Sequence, residues 1–195
     1  MTLTAAANAP ADLASGPKPV RRVVIGNKNG VPAVLSDERR LGQFESWPEF
    51  SNTLLWTTPP QPQVGSPELA QDPVPATASF LPPVGGTSFM IVTFPPDSQM
   101  ADPSFNGPGF GEEVGRKVPG LAQTFESDDP AMHTTDTVDY GIVLEGEIWL
   151  DLGQDEVHLH KHDVVIQNGA RHGWRNKSNT TTTMLFVLIG AQRTL

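Results

Sequence analysis

Glycine and proline interrupt this chain so often that no amphipathic helical pattern of ordinary length survives between them. The 195 residues include 18 glycines and 19 prolines, the two residue types that most often end helices and strands. The segments between them are short, β-branched and aromatic, which is typical of strands. The sequence therefore predicts an all-β chain of one domain with appendages.

Charge and cysteine content exclude several classes of function. The formal net charge is -9, there is no cysteine and no run of Lys or Arg. Nucleic acids and acidic membranes attract basic patches, so we expect neither as a partner. The opening residues lack the basic start and continuous apolar core of a signal peptide, and no later segment approaches membrane-spanning length. We expect a cytoplasmic protein that binds a small molecule.

The first half of the chain predicts an extension ahead of a barrel. Residues 1–20 are rich in Ala and Pro and predict a flexible arm. Residues 21–86 predict an N-terminal extension with strands packing on the barrel, beginning with a strand, a turn and a second strand at 21–25 and 31–35. Residues 59–83 then predict a long irregular connection.

Residues 87–195 predict the barrel itself. A strand at 87–94 ends at two prolines, which cannot donate to a ladder. The stretch 97–130 predicts a long loop that could act as a lid; its phosphate-loop-like run at 107–111 is interpreted as loop, and a short helix over 112–117 is left open. Further strands are predicted at 138–144, 148–152, 156–160, 163–167, 172–175 and 182–189. Short strands with tight turns are typical of an antiparallel barrel or sandwich.

The histidines all lie between His133 and His172, and part of this window could hold a metal ion. Residues two apart in a strand share a face, so His133, Thr135 and Asp139 face one way, and His172 and Trp174 share a face of a later strand. If both faces point into one barrel, two imidazoles and one carboxylate meet. That ligand set, with open positions, is the non-heme iron(II) arrangement.

Two segments of this region resemble the motifs of the cupin superfamily. Residues 133–147 are similar to the first cupin motif, which ends in Val-Leu-Glu-Gly-Glu, and residues 163–176 are similar to the second. The resemblance covers about residues 89–189. It implies a small single-domain cupin, a double-stranded β-helix or jelly-roll-like barrel with an N-terminal extension. It also implies a homodimer, because single-domain cupins often pair through outer strands.

The chain departs from the cupin motifs at ligand positions. Cupins commonly hold their metal with three His and one Glu, but here the second His is Thr135, the acidic ligand is Asp139 and the proline of the second motif is Gln167. The resemblance implies at most His133, Asp139 and His172 as metal ligands and catalytic residues. The implied cofactor is a divalent transition metal, with iron favoured over manganese, zinc or nickel.

Other interpretations of these residues stay open. His133 and His172 could be core histidines of a cupin that has lost its metal. A lone buried carboxylate is costly unless paired, so in either case we expect one of the two histidines close to Asp139. Thr135 and Gln167 could orient water or substrate. Trp174 could form a wall of the substrate pocket or fill the barrel core.

The remaining histidines, His158, His160 and His162, alternate along one predicted strand. The cupin pattern puts Val157 and Leu159 on the inward side of that strand. We therefore interpret the three histidines as surface residues rather than as a second metal site.

Two classes of function fit these patterns. The first is a metal-dependent enzyme acting on a small organic molecule, with oxygenase-type chemistry favoured over isomerase, dehydratase or decarboxylase chemistry. The second is a non-catalytic or metal-free small-molecule-binding cupin, an accessory or sensor protein, which Thr135 in place of a ligand supports. A metal-free enzyme with His172 and Asp139 as its proton-transfer pair lies between them.

Overall fold

Strands dominate the computed structural model, which describes residues 16–65 and 71–194. The strands are β1 (Val20–Lys28), β2 (Val31–Arg40), β3 (Ser51–Thr58), β4 (Thr87–Phe94), β5 (Met132–His133), β6 (Thr137–Glu145), β7 (Glu147–Asp151), β8 (Glu156–His160), β9 (Val164–Asn168), β10 (His172–Arg175) and β11 (Thr182–Gly190). The helices are α1 (Gly107–Lys117) and short 3-10 turns at Val74–Ala76, Asp97–Ala101 and Ala122–Thr124. Most of the predicted arm and part of the connection at 59–83 lie outside the described residues.

The described strands form three antiparallel sheets. One is the β1–β2 hairpin, the second has the order β5-β10-β7-β8, and the third has the order β3-β4-β11-β6-β9. From β5 onward the chain crosses repeatedly between the four-stranded and the five-stranded sheet, so consecutive strands such as β6 and β7 lie in different sheets. This alternation is the double-stranded arrangement that the sequence predicts, and the all-β prediction is confirmed.

The core lies between the inner faces of these two sheets. β11 shows strict alternation, with Met184, Phe186 and Leu188 buried and their neighbours partly exposed. The residues that share this core are Leu54, Met90, Val92, Val143, Ile148, Leu150, Leu159, Met184, Phe186 and Leu188. The predicted strand at 87–94 has the observed bounds, and the six predicted strands that follow agree with β6 to β11 within one residue at each end.

The N-terminal extension is part of the barrel as well as an appendage. β3 pairs with β4 and lengthens the five-stranded sheet. The β1–β2 hairpin turns at Asn29 and Gly30, both with positive φ, as a tight hairpin turn requires. It is fastened to the barrel by Arg22, which is buried and donates hydrogen bonds to the Leu55 carbonyl at 2.8 Å and to Asp72 at 2.9 Å.

The loop interpretation of residues 107–111 is wrong, because these residues form the first turns of α1. The Asn106 side chain caps the helix by accepting a hydrogen bond from the Gly109 N–H at 3.0 Å. Pro108 sits in the first turn, where its missing N–H costs nothing. Packing supplies the rest: Phe110 lies in an aromatic cluster that comprises Phe44, Trp47, Phe50, Phe105 and Phe110. No helix among residues 16–65 and 71–194 is long and apolar enough to cross a membrane.

Candidate metal and substrate site

His133 and His172 lie side by side on paired strands of the four-stranded sheet. The two residues are direct register partners of β5 and β10, both are buried, and their ring centroids are 4.3 Å apart. Nδ1 of His172 is 2.9 Å from the Ala170 carbonyl oxygen. A carbonyl only accepts, so in a neutral ring this contact places the proton on Nδ1 and leaves the lone pair on Nε2. His172 can therefore act as a metal ligand or as a base through Nε2.

Asp139 and Gln167 enter the barrel from the five-stranded sheet. They are direct partners of β6 and β9, and each is 6% exposed. Asp139 Oδ1 and Gln167 Nε2 are buried without a hydrogen-bond partner, as is Nδ1 of His133. Each such atom costs about 1–3 kcal/mol if it stays unpaired. Two buried polar atoms without partners thus lie on neighbouring strands of the five-stranded sheet, and the third belongs to a histidine of the four-stranded sheet.

Thr135 lies on the same inward face as the histidine and the carboxylate that flank it in sequence. His133, Thr135, Thr137 and Asp139 are all buried, as alternation along the chain predicts. The hydroxyls of Thr135 and Thr137 are 2.7 Å apart. Thr135 therefore brings a hydroxyl to the position where the cupin motif has a histidine.

The three predicted ligands do not close into one compact group. At least one pair of donor atoms among His133, Asp139 and His172 is more than 4.8 Å apart. Asp139 makes no ion pair within 4.0 Å with either histidine, and the expectation of a histidine close to this carboxylate stays a prediction. The histidines lie on the four-stranded sheet, and Asp139 lies on the facing five-stranded sheet. The assignment of the three as metal ligands stays a prediction.

Burial drives each of these three groups toward its neutral form. Burial, with the neighbouring His172 adding to it, lowers the pKa of His133 to about 4, and burial also lowers the pKa of His172. Burial raises the pKa of Asp139 to about 6, against a weaker opposing effect of the Thr137 hydroxyl. A cation at the site would reverse the balance for Asp139, because it would stabilise the carboxylate.

The end of the long 97–130 stretch lies beside His133. The Phe125 ring centroid is 4.7 Å from that of His133, and the two residues form an isolated antiparallel bridge. Next to them, Glu126 receives two hydrogen bonds from Arg171, both at 2.6 Å. These contacts give the stretch an anchored contact with the site, and its action as a lid stays a prediction.

Trp174 contacts both the site and the core. Its ring centroid is 6.0 Å from that of His172 and 5.5 Å from that of Phe186. Phe186 also fills the space beside Gly141, where an added Cβ would come within 3.3 Å of the phenyl ring. The interior is thus packed at the level of Gly141, and the polar site occupies the end of the barrel beyond it.

A different group of potential metal ligands lies close together on the outer surface of the barrel. Glu147, His158 and His160 have one ligand atom each within 4.8 Å of the others. Both histidines are exposed, which confirms their interpretation as surface residues. Their grouping with Glu147 as potential metal ligands was not predicted from the sequence. This grouping depends on the β7–β8 register, which sets Glu147 opposite His160. Leu159 points inward as predicted, whereas Val157 is exposed because β8 is the edge strand of its sheet.

Comparison with known proteins finds partial relatives. No family model matches the chain. Phomopsin biosynthesis cluster protein C' of Diaporthe leptostromiformis is 46% identical over 63 residues, which is 31% of this chain and 33% of that protein. Oryzines biosynthesis cluster protein J of Aspergillus oryzae is 47% identical over 53 residues, 27% of this chain and 30% of that protein. The chain thus spans about a third of the length of these curated relatives.

Solved structures resemble the chain at low identity. Ethanolamine utilization protein Q of Salmonella typhimurium is 14% identical, with 90% of this chain and 98% of that one covered and a TM-score of 0.41. A cupin 2 conserved barrel domain protein of Salinispora arenicola is 15% identical, with 73% and 77% covered and a TM-score of 0.37. The decisive features are in this chain itself: its strand order, and the two motif segments on strands of facing sheets. Its fold is a small cupin-type β-barrel.

Proposed function

We propose that this protein is a metal-dependent cupin enzyme acting on a small organic molecule, with oxygenase-type chemistry. The observation that carries the proposal is a pair of buried polar atoms without a hydrogen-bond partner on neighbouring strands, Asp139 Oδ1 and Gln167 Nε2, together with the buried His133 and His172 pair on the facing sheet. Their desolvation cost of about 1–3 kcal/mol each favours a bound species that satisfies them.

The donor chemistry fits a divalent transition metal. His133 and His172 would hold it together with Asp139, and imidazole with carboxylate suits iron, with manganese, zinc or nickel as other choices. With three protein ligands, such a metal would supply Lewis-acid or redox chemistry at open coordination positions. The lowered pKa of each histidine keeps both rings neutral, which is the form that binds a metal.

The other residues of the site have roles in substrate binding. The Thr135 hydroxyl and the Gln167 amide would orient water or the polar groups of a substrate, since both are buried at the site. Trp174 and Phe125 supply aromatic surface beside the two histidines. A few placed polar groups among aromatic walls are typical of sites for small organic ligands.

The curated relatives support a role in small-molecule metabolism. Their names place them in phomopsin and oryzine biosynthesis clusters, and each match covers only part of the relative. We propose the same broad role for this chain. Substrate and reaction follow from the site rather than from the fold, because one fold supports many chemistries.

A metal-free small-molecule-binding cupin is the second candidate function. Two observations favour it: the donor atoms of His133, Asp139 and His172 are not all within 4.8 Å of one another, and Thr135 stands at a ligand position. In such a protein the partnerless polar atoms would contact a small organic ligand directly. The same geometry would serve an accessory or sensor protein.

Metal analysis decides between these two functions. Tag-free protein would be analysed by plasma mass spectrometry beside His172→Ala and Asp139→Ala variants, with His160→Gln on the outer face as the control. The enzyme proposal expects near-stoichiometric iron or manganese that is lost in the two interior variants and kept in His160→Gln. Wild-type protein that carries no metal and takes up neither ion when it is added would contradict the proposal and favour the metal-free binder.

We also propose that two copies of the chain associate through the outer face of β6 and β9. Tyr140 and Ile166 are partners on these strands, and both side chains are exposed together with Val164. Exposed apolar residues that cluster on an edge strand favour association. Light scattering coupled to size exclusion should give twice the chain mass for the wild type and the single-chain mass for Ile166→Glu. A wild type of single-chain mass would contradict this proposal.

A further inference from the structure

Glu147, His158 and His160 form a cluster on the outer surface of the β7–β8 hairpin. Glu147 and His160 are direct partners in the antiparallel register, and His158 lies two residues before His160 on the same face. Glu147 Oε2 is 2.8 Å from Nε2 of His158 and 4.0 Å from Nε2 of His160. The imidazole nitrogens and the carboxylate thus point toward one small volume.

We propose that this cluster is a surface binding site for a divalent first-row transition metal, with Zn²⁺ as the ion it suits best. Two imidazoles and one carboxylate are a zinc ligand set that leaves one coordination position for water. Bonds of 2.0–2.2 Å in a tetrahedron put donor atoms roughly 3.3 Å apart. The two observed separations bracket that value, so side-chain rotations alone would complete the site.

Neighbouring groups already orient both imidazoles. The His158 ring stacks on the Trp149 ring, with centroids 4.0 Å apart and an interplanar angle of 8°. Asp163 Oδ2 accepts a hydrogen bond from the His160 backbone N–H at 2.8 Å and lies 3.8 Å from Nδ1 of the same residue. At 3.8 Å the carboxylate is too far from Nδ1 for a hydrogen bond, and a small side-chain rotation would bring it to the usual outer-shell position of zinc-bound histidine, where it would direct Nε2 toward the metal.

The position of the cluster gives the metal a structural consequence. β8 is the edge strand of the four-stranded sheet, and Leu159 is its one fully buried side chain. A metal bound by Glu147 and His160 would link this edge to β7. Binding to the folded chain alone raises the midpoint of thermal unfolding, by roughly 5–10 °C at a free metal concentration 100 times the Kd.

Zinc titration by calorimetry on tag-free protein tests the site. The wild type would be compared with His160→Gln and with a matched control, His162→Asn. The control removes an exposed histidine just beyond the end of β8. Asn is chosen because His162 has a φ of 77°, a backbone conformation that Asn tolerates. We expect His160→Gln to bind one Zn²⁺ fewer per chain than the wild type, and His162→Asn to match the wild type.

Two further variants separate a built site from loose histidine binding. Asp163→Asn keeps an acceptor for the His160 N–H but removes the negative charge 3.8 Å from Nδ1, and should weaken Zn²⁺ binding roughly 2- to 5-fold. Cu²⁺ bound at the cluster should quench the fluorescence of Trp149, which stacks on His158. This component of the quenching should be present in the wild type and absent from both Trp149→Phe and His160→Gln. The proposal is overturned if the wild type binds no Zn²⁺, if His160→Gln binds as many ions as tightly as the wild type, or if His162→Asn loses the same ion. Because all the diagnostic changes lie outside the barrel, these results do not depend on whether the interior site holds a metal.

Discussion

Asp139 and Gln167 are direct partners across β6 and β9, and each turns a polar atom without a hydrogen-bond partner into the barrel. The two atoms do not satisfy one another although the residues are adjacent. This is the arrangement expected of groups that await a third species, because two neighbouring polar side chains in a finished core would normally pair.

Asp139→Asn should stabilise the metal-free protein at alkaline pH. The pKa of Asp139 is raised from 3.8 to about 6, so the folded state holds its proton more tightly than the unfolded state does. The ionised carboxylate therefore destabilises the folded state. This destabilisation grows as the pH rises from about 4 to 6 and is constant at higher pH. In EDTA-treated protein the variant should be more stable by about 2–3 kcal/mol at pH 8 and equal to the wild type near pH 4. Urea unfolding at both pH values measures this; a less stable variant at pH 8 would contradict it.

His133→Gln should increase the free energy of unfolding in mild acid relative to that of the wild type. Burial lowers the pKa of His133 from 6.5 to about 4, so the unfolded state binds a proton first as the pH falls. The neutral His133 therefore costs stability that grows as the pH falls from 6.5 to 4, while the Asp139 carboxyl changes stability in the opposite direction in both proteins. Relative to the wild type, the variant should become more stable over that interval. His162→Asn on the exposed surface serves as the control, and its slope should match the wild type. Equal slopes for all three proteins would show that His133 does not titrate as expected.

Thr135→His should strengthen metal binding at the interior site. Thr135 is buried on the same face as His133, so an imidazole there would add a ligand to the set. One further ligand should raise the affinity for Mn²⁺ or Fe²⁺ at least tenfold, or about 1.4 kcal/mol. Calorimetry on folded variant and wild type makes the comparison, with Thr134→His on the exposed neighbouring position as control. Unchanged affinity in a folded Thr135→His protein would argue against a metal at this end of the barrel.

Glu113→Gln should destabilise the chain by about 2 kcal/mol at pH 7. Burial alone would raise the pKa of Glu113, but hydrogen bonds from Lys117, Ser46 and the backbone N–H of Glu45 outweigh it and lower the pKa to about 2. An amide in this position turns a donor toward other donors. The stabilisation by ionised Glu113 is present above pH 4.5 and is lost as the pH falls toward 2. The difference in the free energy of unfolding between variant and wild type should therefore decrease in acid. Denaturant unfolding, with the exposed Glu112→Gln as control, measures it.

Arg22→Gln should destabilise the chain by about 2–4 kcal/mol. The Arg22 guanidinium is buried where it joins the β1–β2 hairpin to Leu55 and Asp72. Removing it leaves the Leu55 carbonyl without this donor, and leaves Asp72 with only Arg40 and the Val74 N–H as donors. Arg21 is the matched control, because it is the next residue and its pair with Asp37 is exposed. Thermal unfolding of Arg21→Gln should match the wild type. Equal effects of the two substitutions would show that burial does not distinguish them.

The course of the chain through its strands could be predicted from the sequence. The apolar alternation of β4, β6 and β11 and the glycine turns between strands are local properties, and each can be recognised within a few residues. The same alternation placed His133, Thr135 and Asp139 on one inward face. Local spacing could not show how far apart these side chains lie, because that distance is set by which sheet each strand joins.

Three features were decided by tertiary structure. α1 forms across glycines and a proline because Phe110 and Glu113 are held by residues far away in the sequence, and packing outweighs weak helix propensity. The placement of Asp139 and His133 on two different sheets follows from strand pairing that the local sequence does not contain. The Glu147, His158 and His160 cluster exists because antiparallel register sets Glu147 opposite His160, a cross-strand contact that the spacing of histidines along one strand does not contain. Sequence determined which residues face inward, and the pairing of strands decided which of them meet.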